Sequence, residues 1–96
     1  MVLHTLNAPP SSAAFLDCVK VLQASDAVVL MGDGVYAALD GTQACSDLIA
    51  TGAEISLLDV DAALAGVTDP APQIHCIDME ELVVLTERFP RQLAWY

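Results

Sequence analysis

The chain has 96 residues and a mass of 10.1 kDa, which allows one small domain, and its 13 acidic and 3 basic side chains give a net charge of −10. Nucleic-acid backbones and anionic membrane surfaces are bound by clustered cations, so this charge argues against direct binding to either. The hydrophobic content of 55% and mean hydropathy of +0.54 exceed those of an average globular chain, and we therefore expect a folded oligomer subunit that shares apolar surface with a partner.

The predicted elements alternate between strand and helix. Short apolar runs bounded by turn residues predict strands, and apolar residues at i, i+3, i+4 and i+7 predict helices. Strands are expected at 2–6, 27–31, 54–58 and 74–77, helices at 13–23, 42–50, 59–64 and 79–89, and a short helical turn at 35–39. Ser11 and Ser12 offer an N-cap for the first helix and Asp78 one for the last, while the turn Gly32-Asp33-Gly34 is expected to need a glycine with positive φ.

This fourfold alternation predicts an α/β fold with one domain over residues 1–96. The expected architecture is a small three-layer sandwich, in which a mostly parallel sheet of four to five strands lies between helices on both faces. In such sheets, sites lie at the carboxyl ends of the strands, so any site is expected at the turns after residues 6, 31, 58 and 77.

Nothing in the sequence predicts a membrane or export segment. The longest apolar stretch, 27–31, is far shorter than the roughly 20 residues that span a bilayer. The first residues also lack the features of a signal peptide. We therefore expect a cytoplasmic protein without membrane contact.

The three cysteines are odd in number and widely spaced, which predicts neither a disulfide framework nor a zinc site. Cys18 falls on the apolar stripe of the first helix and Cys76 within a strand. Cys45 falls in the first turn of a helix, where the helix dipole can lower a thiol pKa. For each thiol, an inert buried position is the more common outcome.

Acidic side chains collect near the predicted strand ends, at Asp33, Asp59, Asp61 and Asp78. Such an arrangement occurs in receiver-like domains that hold Mg²⁺, although helix capping and solvation are more usual roles for these aspartates. The glycine turn around Asp33 lacks the third glycine and the lysine of a phosphate-binding loop. No metal and no cofactor are expected.

The histidines and terminal aromatic residues favour structural or contact roles. His4 and His75 lie on predicted strands without a third ligand, so a structural role is expected for both. Trp95 and Tyr96 are large aromatic residues on a terminal segment, where exposure to water is unfavourable. We therefore expect them to dock on this domain or on a neighbour.

Several short motifs, in their order and spacing, resemble the TusB/DsrH family over nearly the full length of the chain. Those motifs are Leu3-His4-Thr5-Leu6, Asp33-Gly34-Val35-Tyr36-Ala37-Ala38, Asp59 with 62–67, Ile77-Asp78 with Leu82-Val83 and Leu85-Thr86, and Gln92-Leu93-Ala94-Trp95.

The resemblance implies an accessory, non-catalytic subunit of a sulfur-relay heterohexamer built from two copies each of three related chains. In the tRNA pathway these are TusB, TusC and TusD, and persulfide sulfur passes through TusD to TusE and on to the 2-thiouridine at the tRNA wobble position. In sulfur oxidisers the analogous set is DsrH, DsrF and DsrE, which exchanges sulfur with DsrC. The implied partners are TusC/DsrF-like and TusD/DsrE-like sister subunits and, through the complex, a TusE/DsrC-like carrier.

The resemblance also shows where this chain departs from its catalytic sisters. They carry the reactive cysteine after the third strand, in a region that corresponds here to 57–67 and holds no cysteine. Asp59 lies there, and its charge would repel a persulfide. DsrH proteins have a cysteine on the first helix, which corresponds to Cys18, so Cys18 is the candidate sulfur acceptor.

The sequence is compatible with three functions. An accessory role in tRNA 2-thiolation is favoured, a DsrH role in sulfur oxidation with Cys18 as acceptor is the alternative, and a receiver-like or nucleotide-binding module is the third. The candidate interface residues are Tyr36, Trp95 and Tyr96.

Overall fold

Strand and helix alternate along the chain as predicted, in the computed structural model that describes residues 1–96. The strands are β1 (Leu3–Leu6), β2 (Ala27–Leu30), β3 (Glu54–Leu58), β4 (His75–Ile77) and β5 (Gln92–Trp95). The α-helices are α1 (Ala13–Val21), α2 (Gln43–Ala50), α3 (Asp59–Ala65) and α4 (Met79–Arg88), and a 3₁₀ helix spans Gly32–Ala38. None of these helices has the length and apolar composition needed to cross a bilayer.

The five strands form one sheet in the order β4-β3-β2-β1-β5, and every neighbouring pair is parallel. The sheet is centred on β2, whose four residues are all buried, as a continuous apolar run predicts for a strand covered on both faces. Because all strands run the same way, their carboxyl ends share one edge, which we call the carboxyl edge. The α/β fold with a parallel sheet between helices is therefore confirmed.

The helices cover the two faces of the sheet unequally. The 3₁₀ helix, α1, α2 and α3 pack on one face around a core that includes Leu6, Leu30 and Leu57. On the other face, α4 alone packs on a smaller core that includes Val29 and Ile77. A helix is about 10 Å wide and five strands span about 20 Å, so a single helix leaves part of that face uncovered.

Side-chain caps start the helices where the sequence predicts them. The hydroxyl of Ser12 accepts a hydrogen bond from the backbone N–H of Phe15, and Asp78 forms a reciprocal capping box with Glu81 at the start of α4. A cap of this kind contributes on the order of 1 kcal/mol to stability.

The glycine turn after β2 starts a 3₁₀ helix that is longer than the helical turn expected at 35–39. Gly32 has a φ of 52°, which confirms the positive φ expected in this turn. A Cβ on Gly34 would lie 2.1 Å from the carbonyl oxygen of Leu6, so only glycine lets the chain pass this close to β1.

The fifth strand comes from the segment whose aromatic residues were expected to dock. β5 pairs with β1 at the sheet edge, with Leu6 opposite Trp95. Periodicity did not indicate this strand because Gln92–Trp95 is short and three of its four residues are exposed.

Candidate functional site at the carboxyl edge of the sheet

The carboxyl edge carries a shallow groove between the 3₁₀ helix and α3. We call it the α3 groove; its volume is about 260 Å³, and its lining residues are Gly32, Asp33, Tyr36, Asp61, Leu64 and Ala65. One hydrogen bond joins its two walls, because the backbone N–H of Gly32 donates to Oδ2 of Asp61 at 2.8 Å. Tyr36, a candidate interface residue, is 41% exposed here.

The four aspartates considered as a magnesium pocket are spread along this edge. Asp78 caps α4 and Asp61 accepts the hydrogen bond from Gly32, while Asp33 and Asp59 are exposed. No three His, Cys, Asp or Glu side chains are grouped so that they could hold a metal ion. Two of the four aspartates thus accept hydrogen bonds from backbone N–H groups.

The position after β3 holds a carboxylate and no thiol. α3 begins at Asp59, and Asp59 and Asp61 lie in its first turn, where the helix dipole favours negative charge. Neither the segment 57–67 nor the lining of the α3 groove contains a cysteine. The position after β3 and the α3 groove therefore offer no sulfur nucleophile of their own.

Two of the three thiols, Cys18 and Cys45, are buried in the main core. Burial raises the pKa of the Cys18 thiol to about 12. Burial also raises the pKa of Cys45, and the negative charge of Asp40 adds to the effect. The pKa of Cys45 is thus raised, in the direction opposite to the effect of a helix dipole on a thiol. In this conformation both thiols are protonated at neutral pH and poor nucleophiles.

Cys76 differs from the buried position expected for it, since it is exposed. It lies on β4, and β4 is the edge strand of the sheet, so only one neighbour covers it. Cys76 borders a second groove between α4 and the β3–β4 edge, with a volume of about 360 Å³ and the further lining residues Glu54, Ser56, His75, Ile77, Glu81, Val84 and Leu85. The accessible thiol of this chain thus lies outside the α3 groove.

A buried hydrogen-bonded chain joins β1, the start of β2 and β5. The indole N–H of Trp95 donates to Nδ1 of His4 at 3.0 Å, and Nε2 of His4 lies 3.3 Å from Oδ2 of Asp26. His4 is fully buried, and Asp26 is 6% exposed. The structural role expected for His4 is therefore confirmed, but its two partners could not be predicted from the sequence.

The partners of His4 determine its tautomer. An indole nitrogen can only donate, so Nδ1 must be the unprotonated acceptor. Nε2 then carries the proton and donates to the Asp26 carboxylate. Neutral His4 thus satisfies both neighbours at once.

Asp26 is held as an anion. Burial on its own would raise the pKa of this carboxyl, but backbone hydrogen bonds from Gln23 and Val2, together with the side chain of His4, outweigh burial and lower the pKa below its ordinary value. The same hydrogen bonds fix the turn before β2 against β1. Asp26 is thus a structural carboxylate.

The terminal aromatic residues have different surroundings. Trp95 packs partly buried against the main core and stacks near His4, with ring centroids 6.2 Å apart, so it docks on its own domain. Tyr96 is 82% exposed. A contact between Tyr36 or Tyr96 and a partner stays a prediction.

Solved structures of low sequence identity share this fold. The crystal structure of the ychN protein from E. coli matches with a TM-score of 0.77 and 16% identity, over 97% of both chains. The solution structure of protein Tm0979 from Thermotoga maritima matches with a TM-score of 0.69 and 20% identity, over 92% of this chain and 93% of that one. At these identities the similarity concerns the fold alone.

Sequence relatives extend over the whole chain. Protein TusB of Pectobacterium parmentieri is 36% identical over 95 residues, which cover 98% of this chain and 100% of that protein. Protein TusB of Escherichia coli K12 is 33% identical with the same coverage. The profile of the family described as DsrH like protein matches residues 8–92. The resemblance found in the motifs is thereby confirmed, and the chain belongs to the DsrH-like family.

Proposed function

We propose that this chain is an accessory subunit of a cytoplasmic TusBCD-type sulfur-relay complex, which delivers persulfide sulfur for 2-thiolation of the tRNA wobble uridine. Its partners are a TusC-like and a TusD-like sister chain and, through the complex, a TusE-like carrier. The observation that carries the accessory role is the absence of a thiol in the segment after β3 and in the α3 groove, where Asp59 follows β3.

The chemistry of sulfur transfer supports this division of labour. A thiolate attacks the outer sulfur of a persulfide, the S–S bond of the donor breaks, and the donor leaves as a thiolate while the acceptor becomes a persulfide. The acceptor must therefore be accessible and ionised. Cys18 and Cys45 are buried with raised pKa values, so neither meets these conditions in this conformation. Cys76 is exposed, but it lies on β4, outside both the segment after β3 and the α3 groove.

The surface of the chain also supports a role as part of an assembly. Large apolar side chains are exposed at several places, including Leu64 on α3, Val84 on α4 and Leu93 on β5. Twelve large apolar side chains are exposed in a chain of 96 residues, and such side chains, where they are grouped, are typical of surfaces that a partner buries. The charge of −10 argues against contact between this chain and the tRNA itself.

The alternative within the same family is a DsrH role in sulfur oxidation, with Cys18 as a sulfur acceptor. It needs a conformation that opens α1 and exposes the thiol. The full-length relatives described above are TusB proteins, which favours the tRNA pathway. The receiver-like or nucleotide-binding alternative has less support, because carboxylates in the α3 groove repel phosphate.

The test is reconstitution in a bacterium deleted for its own three chains. This chain and its two sister chains from the same source are expressed together, and 2-thiouridine in total tRNA is measured by mass spectrometry of nucleosides. The proposal predicts a single co-purifying assembly and restored 2-thiouridine, both lost when this chain alone is left out. Full 2-thiouridine without this chain would refute the proposal.

A further inference from the structure

We infer that the α3 groove is a docking surface for a basic partner protein, which inserts an apolar side chain between the groove walls and places a Lys or Arg beside it. This inference rests on the proposed function, because it assigns a surface and a partner chemistry to the subunit contact. Three observations carry it: the exposed apolar walls, the distribution of charge, and the absence of a fold-stabilising role for the exposed side chains.

The walls of the groove carry apolar side chains that are open to solvent, beside the carboxylates of Asp33 and Asp61. Tyr36 on the 3₁₀ helix faces Leu64 on α3, and Leu64 is 83% exposed, more than any other large apolar side chain of the chain. Val60 lies one helical turn before Leu64 and is also exposed. Residues four apart share one helix face, so Val60 and Leu64 extend the apolar wall along α3.

These side chains do little for the fold. Neither Tyr36, Val60 nor Leu64 belongs to a buried core, and the residues that anchor α3 and the 3₁₀ helix are others, such as Ala62 and Val35. A single exposed leucine is common on protein surfaces, but Leu64 lies in a group with exposed Tyr36 and Val60, and grouped exposed apolar side chains are typical of interaction surfaces. The grouping of these three exposed side chains therefore supports an external contact.

The acidic side chains around the groove indicate that the partner surface is basic. Six of the thirteen acidic side chains lie at the carboxyl edge, in the first turns of the 3₁₀ helix and α3 and at the start of α4. They are Asp33, Asp59, Asp61, Asp78, Glu80 and Glu81.

All three basic side chains lie at the opposite edge of the sheet. Lys20 and Arg88 are in the last turns of α1 and α4, and Arg91 directly precedes β5. The carboxyl edge thus has no cation to neutralise its acids. A partner surface with Lys or Arg complements this edge, and complementary charge accelerates association and excludes wrong partners.

A second copy of this chain is a poor occupant of the groove. Two copies would each bring a charge of −10, and bringing two acidic edges together costs electrostatic repulsion. Nucleic acid and anionic lipid are repelled for the same reason. A basic protein surface is left as the occupant that fits both the charge and the apolar walls.

The test measures binding of this chain to its purified sister chains by surface plasmon resonance, for four variants. Leu64→Glu and Asp33→Lys change the groove, and Leu16→Glu and Asp17→Lys are matched controls at exposed positions on α1. We expect the groove variants to weaken binding at least tenfold and the controls to stay within twofold of the unchanged chain. We also expect association of the unchanged chain to slow as salt is raised, and Asp33→Lys to reduce that dependence.

Each other outcome overturns part of the account. If all four variants bind like the unchanged chain, the groove is not the docking surface, while the subunit role stands. If the unchanged chain does not bind the sister chains, the proposed function fails and the partner assignment fails with it. If the isolated chain self-associates and Leu64→Glu abolishes this, the occupant is a second copy and the inferred partner is wrong.

Discussion

Trp95 and His4, 91 positions apart in the chain, meet through a 3.0 Å hydrogen bond from the indole N–H to Nδ1 of the imidazole. This contact fixes the last strand of the sheet to the first one. The other ring nitrogen of His4, Nε2, contacts the carboxylate of Asp26, and this carboxylate accepts a hydrogen bond that stabilises the turn before β2. One buried polar chain thus ties together three segments that are far apart in sequence.

Trp95→Phe is predicted to destabilise the protein by about 1–3 kcal/mol, because it removes the donor and leaves a buried imidazole nitrogen without a partner. The free energy of unfolding is measured by urea denaturation followed by circular dichroism. The control is Tyr96→Phe at an exposed position, for which we expect a change within about 0.5 kcal/mol. Equal stability of the two variants would show that the hydrogen bond contributes nothing.

His4 is predicted to be the neutral tautomer with its proton on Nε2. Nitrogen-15 NMR of the imidazole distinguishes a protonated from an unprotonated ring nitrogen by chemical shift. We expect the unprotonated signal for Nδ1 and the protonated signal for Nε2 at pH 7. The reverse assignment would contradict the donor and acceptor order of the buried chain.

Acid is predicted to remove the stabilising contribution of Asp26. The pKa of Asp26 is lower in the folded protein than its ordinary value of about 3.9, so its contribution is fully present above about pH 4. It is lost as the pH falls through the lowered pKa, because protonation weakens the hydrogen bonds from Val2 and Gln23. Unfolding free energy measured between pH 2 and 7 should fall at the acid end.

The matched variant is Asp26→Asn, which keeps the shape of the side chain and removes its charge. It should be less stable than the unchanged chain at pH 7 by about 1–3 kcal/mol and should lose stability less steeply below pH 4. If the free energy of unfolding falls equally steeply below pH 4 in both proteins, carboxylates other than Asp26 cause the loss of stability in acid.

The three thiols are predicted to react at very different rates. Cys76 is exposed, while a pKa of about 12 leaves the Cys18 thiolate at roughly one part in ten thousand at pH 8. Brief treatment with iodoacetamide and peptide mass spectrometry should show labelling of Cys76, with Cys18 and Cys45 protected until the protein is unfolded. Labelling of Cys18 as fast as Cys76 would instead support an open conformation and its role as a sulfur acceptor.

The sequence predicted the features that depend on local pattern. Apolar spacing predicted α1, the continuous run predicted β2, and capping chemistry predicted the start of α1 at Ser11 or Ser12 and that of α4 at Asp78; the structure has Ser12 and Asp78 as the caps. These features depend on residues within a few positions of each other, which is the range over which periodicity and capping act.

Features that depend on the order of the strands in the sheet could not be predicted, because they join residues that are far apart in the sequence. Cys76 is exposed because β4 is an edge strand, and His4 finds its partners only after β1 lies between β2 and β5. The buried position expected for Cys45 is confirmed, although its place in the first turn of α2 had also suggested a lowered thiol pKa.

The central claim is that this chain supports sulfur transfer without carrying sulfur, and a thiol-free variant tests it most directly. Cys18→Ala, Cys45→Ala and Cys76→Ser are combined in one chain and expressed with the two sister chains in the deleted bacterium, and the 2-thiouridine content of its tRNA is measured. The account predicts the same 2-thiouridine content as with the unchanged chain, provided that the assembly still co-purifies. An intact assembly that makes no 2-thiouridine would contradict it, because one of these thiols would then take part in the transfer.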